Sequence, residues 1–246
     1  MSWIRGSHPD NSNATNNIET PETNKVCCFR QDFTYGTAAV NIWPIANVLG
    51  YLHKEIGDLN EAFAQTDTYC IGLGLGAHLC GFFGKALKEL PDEKYALEKI
   101  IGLDPSGPIF QDQHHASGKR LDKDDAYWVE IIHTNTAVLG YNRDLGHVDF
   151  YINGGYTQAN CTPVKNNLTK WKDSKCSHNY AYSLFKDLLK QNISCNLTRE
   201  NDPLQKQMIG DPIFELGNLD SNSVTLKGEY IVLSNRPQYK LTEFCE

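Results

Sequence analysis

The sequence predicts an α/β fold with a mostly parallel sheet. Short runs rich in aliphatic and β-branched residues alternate with longer helical segments, which is typical of parallel sheets. The 246 residues, of which 40% are hydrophobic, are enough to bury one sizeable core. Residues 1–26 are polar, rich in asparagine and without periodicity. We therefore expect a disordered leader there and one ordered domain over residues 27–246.

The first helix is predicted from Thr37 to Ile56, "TAAVNIWPIANVLGYLHKEI", with an interruption at Pro44. Its apolar positions recur at helical spacing, so they define the face that we expect to pack on the core. That face carries Val40, Ile45, Val48, Leu49 and Leu52.

Four further elements are predicted along the chain, in the order strand, helix, strand, strand. They are Tyr69 to Leu73, Ala77 to about Leu90, Glu98 to Pro105, and Trp128 to Asn135. Ligands of such sheets bind beyond the carboxyl ends of the strands, so residues at those ends are the first candidates for a site.

A glycine-rich turn follows the first of these strands in "YCIGLGLGAHLCGFFGKAL". Gly72, Gly74 and Gly76 allow a sharp reversal from strand to helix. A phosphate-binding turn would have the spacing GxGxxG with a later acidic residue, or a Lys-Ser/Thr pair at the helix start. Neither is present, whereas GxGxG between an apolar strand and a helix fits the elbow that presents a nucleophile. The reactive position of such an elbow is Gly74.

Composition and charge narrow the partners and the compartment. The net charge of −7, without any long Lys/Arg run, argues against nucleic acid or an anionic membrane as the main partner. Eight cysteines predict an oxidising compartment, although the chain carries no apolar run of signal-peptide or membrane-spanning length. The expectation is a secreted glycoprotein with acceptor sites at Asn13, Asn160, Asn167, Asn192 and Asn196, the start of whose natural chain is missing here. The alternative is a protein that stays inside the cell, where these sites are not used.

Five segments carry a resemblance to a known family: "GLGLGAHLCGFFGKAL", "GLDPSGPIF", "RLDKDDAYWVEIIHT", "GHVDFYINGG" and "CSHNYAYSLF". In this order, from about Tyr35 to Asn235, they resemble the pancreatic-type lipases, including insect phospholipase A1 and yolk-protein relatives. The resemblance implies an α/β-hydrolase fold. It also implies that Asp104 and His178 are the acid and histidine of a catalytic triad.

In the same family the nucleophilic serine occupies the position of Gly74, and the N–H of Leu75 contributes to the oxyanion hole. The resemblance further implies that the first strands of the sheet, with the loop that supplies the second oxyanion N–H, are missing. Glycine offers no atom that the histidine could deprotonate for acyl transfer. Ser106 or Cys80 could substitute, but their simpler interpretations are a loop filler and a core residue.

These observations favour a non-catalytic homologue that retains a lipid- or ester-binding cleft, for binding or storage. The alternative is a carboxylic ester hydrolase, a lipase or phospholipase A1, that works slowly through a water or a substitute nucleophile. A third interpretation is a fragment without a function of its own. The oligomeric state stays open, and contact with a lipid interface is compatible with each of the first two.

The family resemblance also implies a disulfide between Cys161 and Cys176 that closes a lid loop before the histidine. The loop is short and polar, and only Leu168 and Trp171 could contact an apolar interface. Cys195 and Cys245 are likewise expected to pair. The partners of the other four cysteines, which include Cys27 and Cys28, stay open.

One metal site is a candidate. Asp122 and Asp125 supply carboxylate oxygens of the kind calcium prefers, and the family places a structural calcium on this segment. The alternative is a solvated acidic turn, and no other cofactor is predicted. The adjacent His114 and His115 lack the spaced partners of a zinc site. The remaining histidines in apolar runs are expected to be hydrogen-bonded core residues: His78, His133 and His147.

Overall fold

The computed structural model describes residues 34–91, 93–111, 117–158, 161 and 167–189, and four strand segments between residues 194 and 232. The α-helices are Tyr35–Leu59 (α1), Glu61–Ala64 (α2), Leu75–Lys88 (α3) and Asn167–Leu188 (α4). Single 3₁₀ turns lie at Glu93–Tyr95, Ser117–Lys119 and Lys123–Asp125. The strands are Tyr69–Leu73 (β1), Lys99–Leu103 (β2), Trp128–His133 (β3), Val148–Ile152 (β4), Ser194–Cys195 (β5), Thr198–Arg199 (β6), Phe214–Glu215 (β7) and Gly228–Val232 (β8).

Six of the strands form one sheet in the order β1-β2-β3-β4-β8-β6. The first five of these run parallel, whereas β6 pairs antiparallel with β8. The two remaining strands, β5 and β7, form a separate antiparallel pair. The predicted mostly parallel α/β sheet is confirmed. Within the described residues β1 has one neighbouring strand, β2.

Both faces of the sheet are covered by apolar side chains. One face packs against α1 and α3 through Ile100, Val129 and Ile131. The other face packs against α4 through Ile101, Ile132 and Phe150. Consecutive residues of a strand point to opposite faces, so strands buried on both sides read as continuous apolar runs. None of the described helices has the length and apolarity needed to cross a membrane.

The sequence predicts α1 correctly but only part of its buried face, since Ile45 and Leu49 pack on the core as expected. The helix continues through Pro44, and Val40 and Val48 are 73% and 58% exposed. Instead the helix packs on α3 through small residues, and a Cβ on Gly50 would lie 3.1 Å from the Cβ of Ala86. Because α1 is apolar around most of its circumference, periodicity does not reveal which side is buried. The buried residues are Ala38, Ala39, Ile42, Ala46, Gly50 and Gly57.

A disulfide between Cys70 and Cys80 joins β1 to α3, with the two Cα atoms 5.6 Å apart. The sequence analysis assigned Cys80 to core packing and kept it as a substitute nucleophile. Cys80 is buried as expected, but its sulfur is bonded to Cys70 and offers no free thiol. The bridge closes the loop that contains the glycine-rich turn.

Removing this bridge is expected to destabilise the fold. By the chain-entropy estimate, a loop of about this size contributes ~3 kcal/mol to the free energy of unfolding. The double variant Cys70→Ala, Cys80→Ala should therefore unfold at a clearly lower urea concentration than the parent chain. The matched control is Cys161→Ala, Cys176→Ala, which opens a loop of comparable length, with sequence separation 15 instead of 10. An unchanged urea midpoint in the first variant would contradict the expectation.

Candidate active site

The turn between β1 and α3 consists of one residue, Gly74, which is the N-cap of α3 with φ 59° and ψ −117°. A positive φ favours glycine, because a side chain is strained there. Its N–H donates to the carbonyl of Leu103 at 3.0 Å, which ties the turn to the end of β2. A Cβ on Gly72 would lie 2.2 Å from the carbonyl carbon and oxygen of Gly76, so strand and helix approach as closely as glycine permits. The predicted strand, turn and helix are all present.

Asp104 follows β2 directly and is completely buried, with φ 41°. Its Oδ1 accepts hydrogen bonds from the N–H groups of Thr134 and Asn135, at 2.8 and 2.9 Å. These two residues follow β3, so the carboxyl ends of neighbouring strands hold the carboxylate. A Cβ on Gly140 would lie 2.5 Å from Oδ1, so this glycine leaves room for it. His178 is the third hydrogen-bond partner of this carboxylate, after the N–H groups of Thr134 and Asn135. Together the three partners offset the free-energy cost of burying the charge.

His178 lies on α4, and its Nδ1 is 2.6 Å from Oδ2 of Asp104. Its side chain is 16% exposed, so the ring is reachable from one side. The ring nitrogen on the far side, Nε2, faces the turn: a Cβ on Gly74 would be 2.8 Å from it. Gly74, Asp104 and His178 are far apart in the sequence, and the fold brings them together.

Leu75 is the first residue of α3 and is buried. The N–H groups of a first helical turn have no acceptor within their helix, so they can bind an anion. The carbonyl of Gly74 is already used, since it accepts from the N–H groups of Ala77 and Ser106 at 3.1 and 3.2 Å. The oxyanion role of the Leu75 N–H stays a prediction.

Ser106 also reaches the turn, through contacts that the sequence analysis missed. Its Oγ would be 3.2 Å from a Cβ on Gly74, and the residue is 5% exposed. It lies near enough to Tyr35 to affect the ionisation of that side chain, whose hydroxyl donates to the carbonyl of Pro108 at 2.7 Å. Burial raises the pKa of Tyr35 to about 12, against the opposing effect of the Ser106 hydrogen bond. No local pattern links Ser106 to a tyrosine at the start of α1.

His78 is a hydrogen-bonded core residue, as predicted. It is fully buried; its Nε2 donates to the carbonyl of Ser106 at 2.8 Å, and its Nδ1 accepts from the N–H of Leu121 at 3.1 Å. The ring stacks on Phe110 with centroids 3.8 Å apart. Burial lowers the pKa of His78 to about 3, mainly because the charged ring would lose its water. The neutral ring therefore anchors Ser106 to α3.

Of the other two histidines of the apolar runs, His133 is a core residue and His147 is half-buried. His133 is completely buried and its Nε2 lies 2.8 Å from Oδ1 of the buried Asp149. This second His–Asp pair is sealed from solvent, so it cannot meet a substrate. His147 accepts from the N–H of Val129 at 3.0 Å and stacks on Trp128.

The predicted calcium ligands face cations of the protein itself. Lys85 Nζ lies 2.5 and 2.6 Å from the two carboxylate oxygens of Asp125, and Arg120 is 3.3 Å from Asp122. The N–H of Asp122 also donates to Asp125 at 2.8 Å. These contacts do not add support for a calcium site, because the Lys85 ammonium already pairs with the Asp125 carboxylate. Over the described parts of the chain, no group of three His, Cys, Asp or Glu could hold a metal. Calcium stays a prediction.

The predicted disulfide between Cys161 and Cys176 is present, with Cα atoms 5.6 Å apart. It joins the segment after β4 to α4, two residues before His178. Several predictions lie outside the described residues. These are the sites at Asn13, Asn160, Asn192 and Asn196, the side chains of Asn167, Leu168 and Trp171, and Cys27, Cys28, His114, His115 and Cys245.

The family model described as lipase matches residues 28–199, which is well over half of the chain and contains Gly74, Asp104 and His178. This chain belongs to the lipase family. The elements and site of this lipase-family chain are consistent with the α/β-hydrolase fold, and its similarities place it with the pancreatic-type lipases.

Curated relatives agree with the family match. This lipase-family chain is 39% identical over 158 residues to a phospholipase A1 of Vespula squamosa, covering 64% of this chain and 49% of the relative. It is 39% identical over 173 residues to lipase member H of Mus musculus, covering 68% and 36%. It is 36% identical over 163 residues to lipase member H-A of Xenopus laevis, covering 66% and 32%. The chain thus spans between a third and a half of the length of these relatives.

The buried His78 predicts a pH dependence of stability. The pKa of His78 is about 3 in the folded chain, compared with its ordinary value of 6.5. Below pH 6.5 the unfolded chain therefore binds a proton at His78 that the folded chain does not bind. Stability from this group is therefore complete above pH 6.5 and is lost as the pH falls. From pH 7.5 to pH 5 the loss is ~2 kcal/mol.

His78→Gln should remove the contribution of His78 to the pH dependence of the free energy of unfolding. The advantage of the parent chain over the variant in that free energy should therefore be ~2 kcal/mol smaller at pH 5 than at pH 7.5. Urea unfolding of both chains at the two pH values, at constant ionic strength, measures it. Parallel pH profiles for the two chains would show that His78 is not the source.

Proposed function

We propose that this lipase-family chain binds a lipid or carboxylic ester at the Gly74, Asp104 and His178 site and does not turn it over through an acyl-enzyme. One observation carries the proposal. The residue that faces Nε2 of His178 from the turn before α3 is a glycine, so the nucleophile that the family resemblance expects there is replaced. Acyl transfer needs a side-chain oxygen or sulfur that the histidine can deprotonate.

The remaining groups support a binding role. Asp104 and His178 keep the hydrogen bond that orients an imidazole. Leu75 begins a helix whose first N–H groups can donate hydrogen bonds to a carbonyl oxygen of the ligand. Cys80 cannot substitute, because its sulfur is in a disulfide. Two relatives are named lipase and one phospholipase A1, so a lipid or its ester bond is the ligand class we propose. We propose a secreted protein, since the two disulfides suit an oxidising compartment.

A second function is slow hydrolysis of a carboxylic ester. The observation that favours it is the intact pair of His178 and Asp104 at 2.6 Å, which a pure binding protein would not need. When a triad loses its nucleophile, the rest of the site retains ~10³ to 10⁴-fold acceleration over water. Turnover at the level of a lipase is not expected.

The decisive experiment restores the missing side chain. Gly74→Ser should raise the kcat for p-nitrophenyl butyrate by about 100-fold or more, because an Oγ next to Nε2 opens the acyl-enzyme route. The gain will stay below that of a full triad, since a Cβ 2.8 Å from Nε2 forces the ring to shift and φ 59° strains a serine. The measurement is release of p-nitrophenol by the parent chain, by Gly74→Ser, and by Gly74→Ser combined with His178→Ala.

Binding is measured separately, by titration with a fluorescent phospholipid ether that cannot be hydrolysed. Saturable binding by the parent, together with the gain in Gly74→Ser and its loss on adding His178→Ala, is the expected result. Fast hydrolysis by the parent that His178→Ala abolishes would overturn the non-catalytic proposal. A chain that aggregates and shows no cooperative melt would favour the fragment without a function of its own.

A further inference from the structure

Gln158 is a buried amide between β4 and α4 that joins the carboxyl ends of two strands. It is 3% exposed, and its Nε2 donates to the carbonyl of Thr134 at 3.0 Å and to that of Ile152 at 2.9 Å. Thr134 directly follows β3, and Ile152 ends β4. The Oε1 of Gln158 accepts from Nδ2 of Asn153 at 2.7 Å. Because two carbonyls face one end of the amide and a donor faces the other, its orientation is unambiguous and both hydrogens of Nε2 are used.

The main chain of Gln158 is fixed to the turn of α4 that carries His178. Its N–H donates at 3.1 Å to Oγ of Ser177, which is fully buried and directly precedes His178. Its carbonyl accepts from the N–H of Cys161 at 2.9 Å, and Cys161 is bonded through its sulfur to Cys176. A hydrogen bond and a disulfide thus reach two consecutive residues of α4 from the segment that contains Gln158.

The side chain of Gln158 also reaches Asp104, through a single peptide group. The carbonyl of Thr134 and the N–H of Asn135 belong to the same planar peptide. Gln158 donates to the oxygen of this peptide, and its N–H donates to Oδ1 of Asp104 at 2.9 Å. Hydrogen bonds in such a chain polarise one another, so the donor on the oxygen strengthens the N–H that holds the carboxylate.

We propose that Gln158 is a positioning residue that sets the geometry of the pair formed by His178 and Asp104. The contacts close a ring: one side runs from Gln158 through the peptide before Asn135 to Asp104, the other through Ser177 to His178, and the 2.6 Å contact between His178 and Asp104 joins them. We call this closed set of contacts the Gln158 ring. Gln158 is buried, so it acts through the pair and not by touching a ligand. The inference rests on the proposed function, because the pair belongs to the proposed binding site.

The packing of α4 explains why such a ring is needed. The helix lies on the sheet through apolar side chains, and apolar contacts have no preferred direction. They hold α4 against the sheet but do not by themselves fix its position along the strands to the precision that a hydrogen bond demands. The polar contacts of Gln158 supply that precision. The apolar residues of this contact are Ile101, Ile132 and Phe150 of the sheet and Ala181, Leu184 and Phe185 of α4.

Gln158→Met tests the proposal, because it removes the amide at nearly the same side-chain length. The readout is the proton NMR signal of the Nδ1–H of His178, which the carboxylate of Asp104 moves to low field and which is assigned by its loss in His178→Ala. In Gln158→Met this signal should move upfield or be lost to exchange with water, because the carboxylate is held less firmly. The sealed pair of His133 and Asp149 supplies a reference in the same spectrum, and its signal should persist.

A rate measurement separates positioning from stability. It uses the Gly74→Ser background, in which the turn carries a nucleophile. Adding Gln158→Met should lower kcat for p-nitrophenyl butyrate by about 10-fold with KM unchanged, because a misplaced imidazole impairs proton transfer and leaves the ester site intact.

Ser177→Ala breaks the other side of the ring and is the second variant. It should move the His178 signal and lower kcat in the same direction as Gln158→Met. The matched control is Ser174→Ala, which removes another buried serine hydroxyl of α4 and should leave the signal and both constants unchanged. Ile42→Ala, at a buried position of α1 on the opposite face of the sheet, controls for lost stability alone.

Two outcomes overturn the inference. One is a His178 signal that stays in place in both Gln158→Met and Ser177→Ala. The other is an equal shift in Ser174→Ala and Ile42→Ala, which would show a general loss of packing. If Gln158→Met does not fold, Ser177→Ala with its control decides alone. A Gly74→Ser chain that gains no activity, or a parent that fails to bind the ether probe, contradicts the proposed function, whereas the NMR signals still test the Gln158 ring.

Discussion

The buried carboxylate of Asp104 is the contact on which the arrangement of this site depends. It is completely enclosed, and its hydrogen bonds reach the ends of β3 and the middle of α4 at once. An isolated buried carboxylate would cost several kcal/mol or take up a proton. Two backbone N–H groups and His178 remove that cost, and they leave the carboxylate with one orientation. The position of the imidazole relative to the sheet follows from it.

Glu130, in the same sheet, shows what happens without such donors. It is also buried, and its Oε1 has no hydrogen-bond partner in the described part of the chain. Burial raises the pKa of this carboxyl to about 7, although the charge of Lys99 acts in the opposite direction. The two buried carboxyls thus differ in their hydrogen-bond partners, because only Asp104 accepts from backbone N–H groups at the end of the neighbouring strand.

The turn at Gly74 keeps its shape for reasons that do not require catalysis. A serine at φ 59° stores strain that the surrounding structure must hold, whereas glycine adopts this conformation at little cost. The close contact between Gly72 and Gly76 and the disulfide of Cys70 with Cys80 hold strand and helix together. The geometry of an elbow therefore persists although its side chain is absent.

Local sequence patterns predicted some elements well. They failed where the burial or the partner of a residue depended on segments far away in the sequence. The strand Tyr69–Leu73 was predicted with its observed bounds, because an apolar run that ends at glycine is a local feature. The buried face of α1 was predicted only in part, since Ile45 and Leu49 pack on the core, whereas Val40 and Val48 are exposed. Cys80 looked like a core residue of a helix, and only the fold shows that Cys70 lies beside it.

What the sequence by itself determined is the inventory of this site: a turn of glycines without a nucleophile at Gly74, an acid at Asp104 and a histidine at His178. The glycine turn and the strand end before Asp104 are short-range features of the chain, whereas the resemblance to the lipase family singled out His178. Only the tertiary structure decided which polar atoms meet, because contacts such as Tyr35 with Ser106 join segments that no local period relates. It also decided that Asp125 pairs with Lys85, which lies 40 residues away on α3. Packing sets these pairings, since a buried polar group takes the partner that the fold brings within reach.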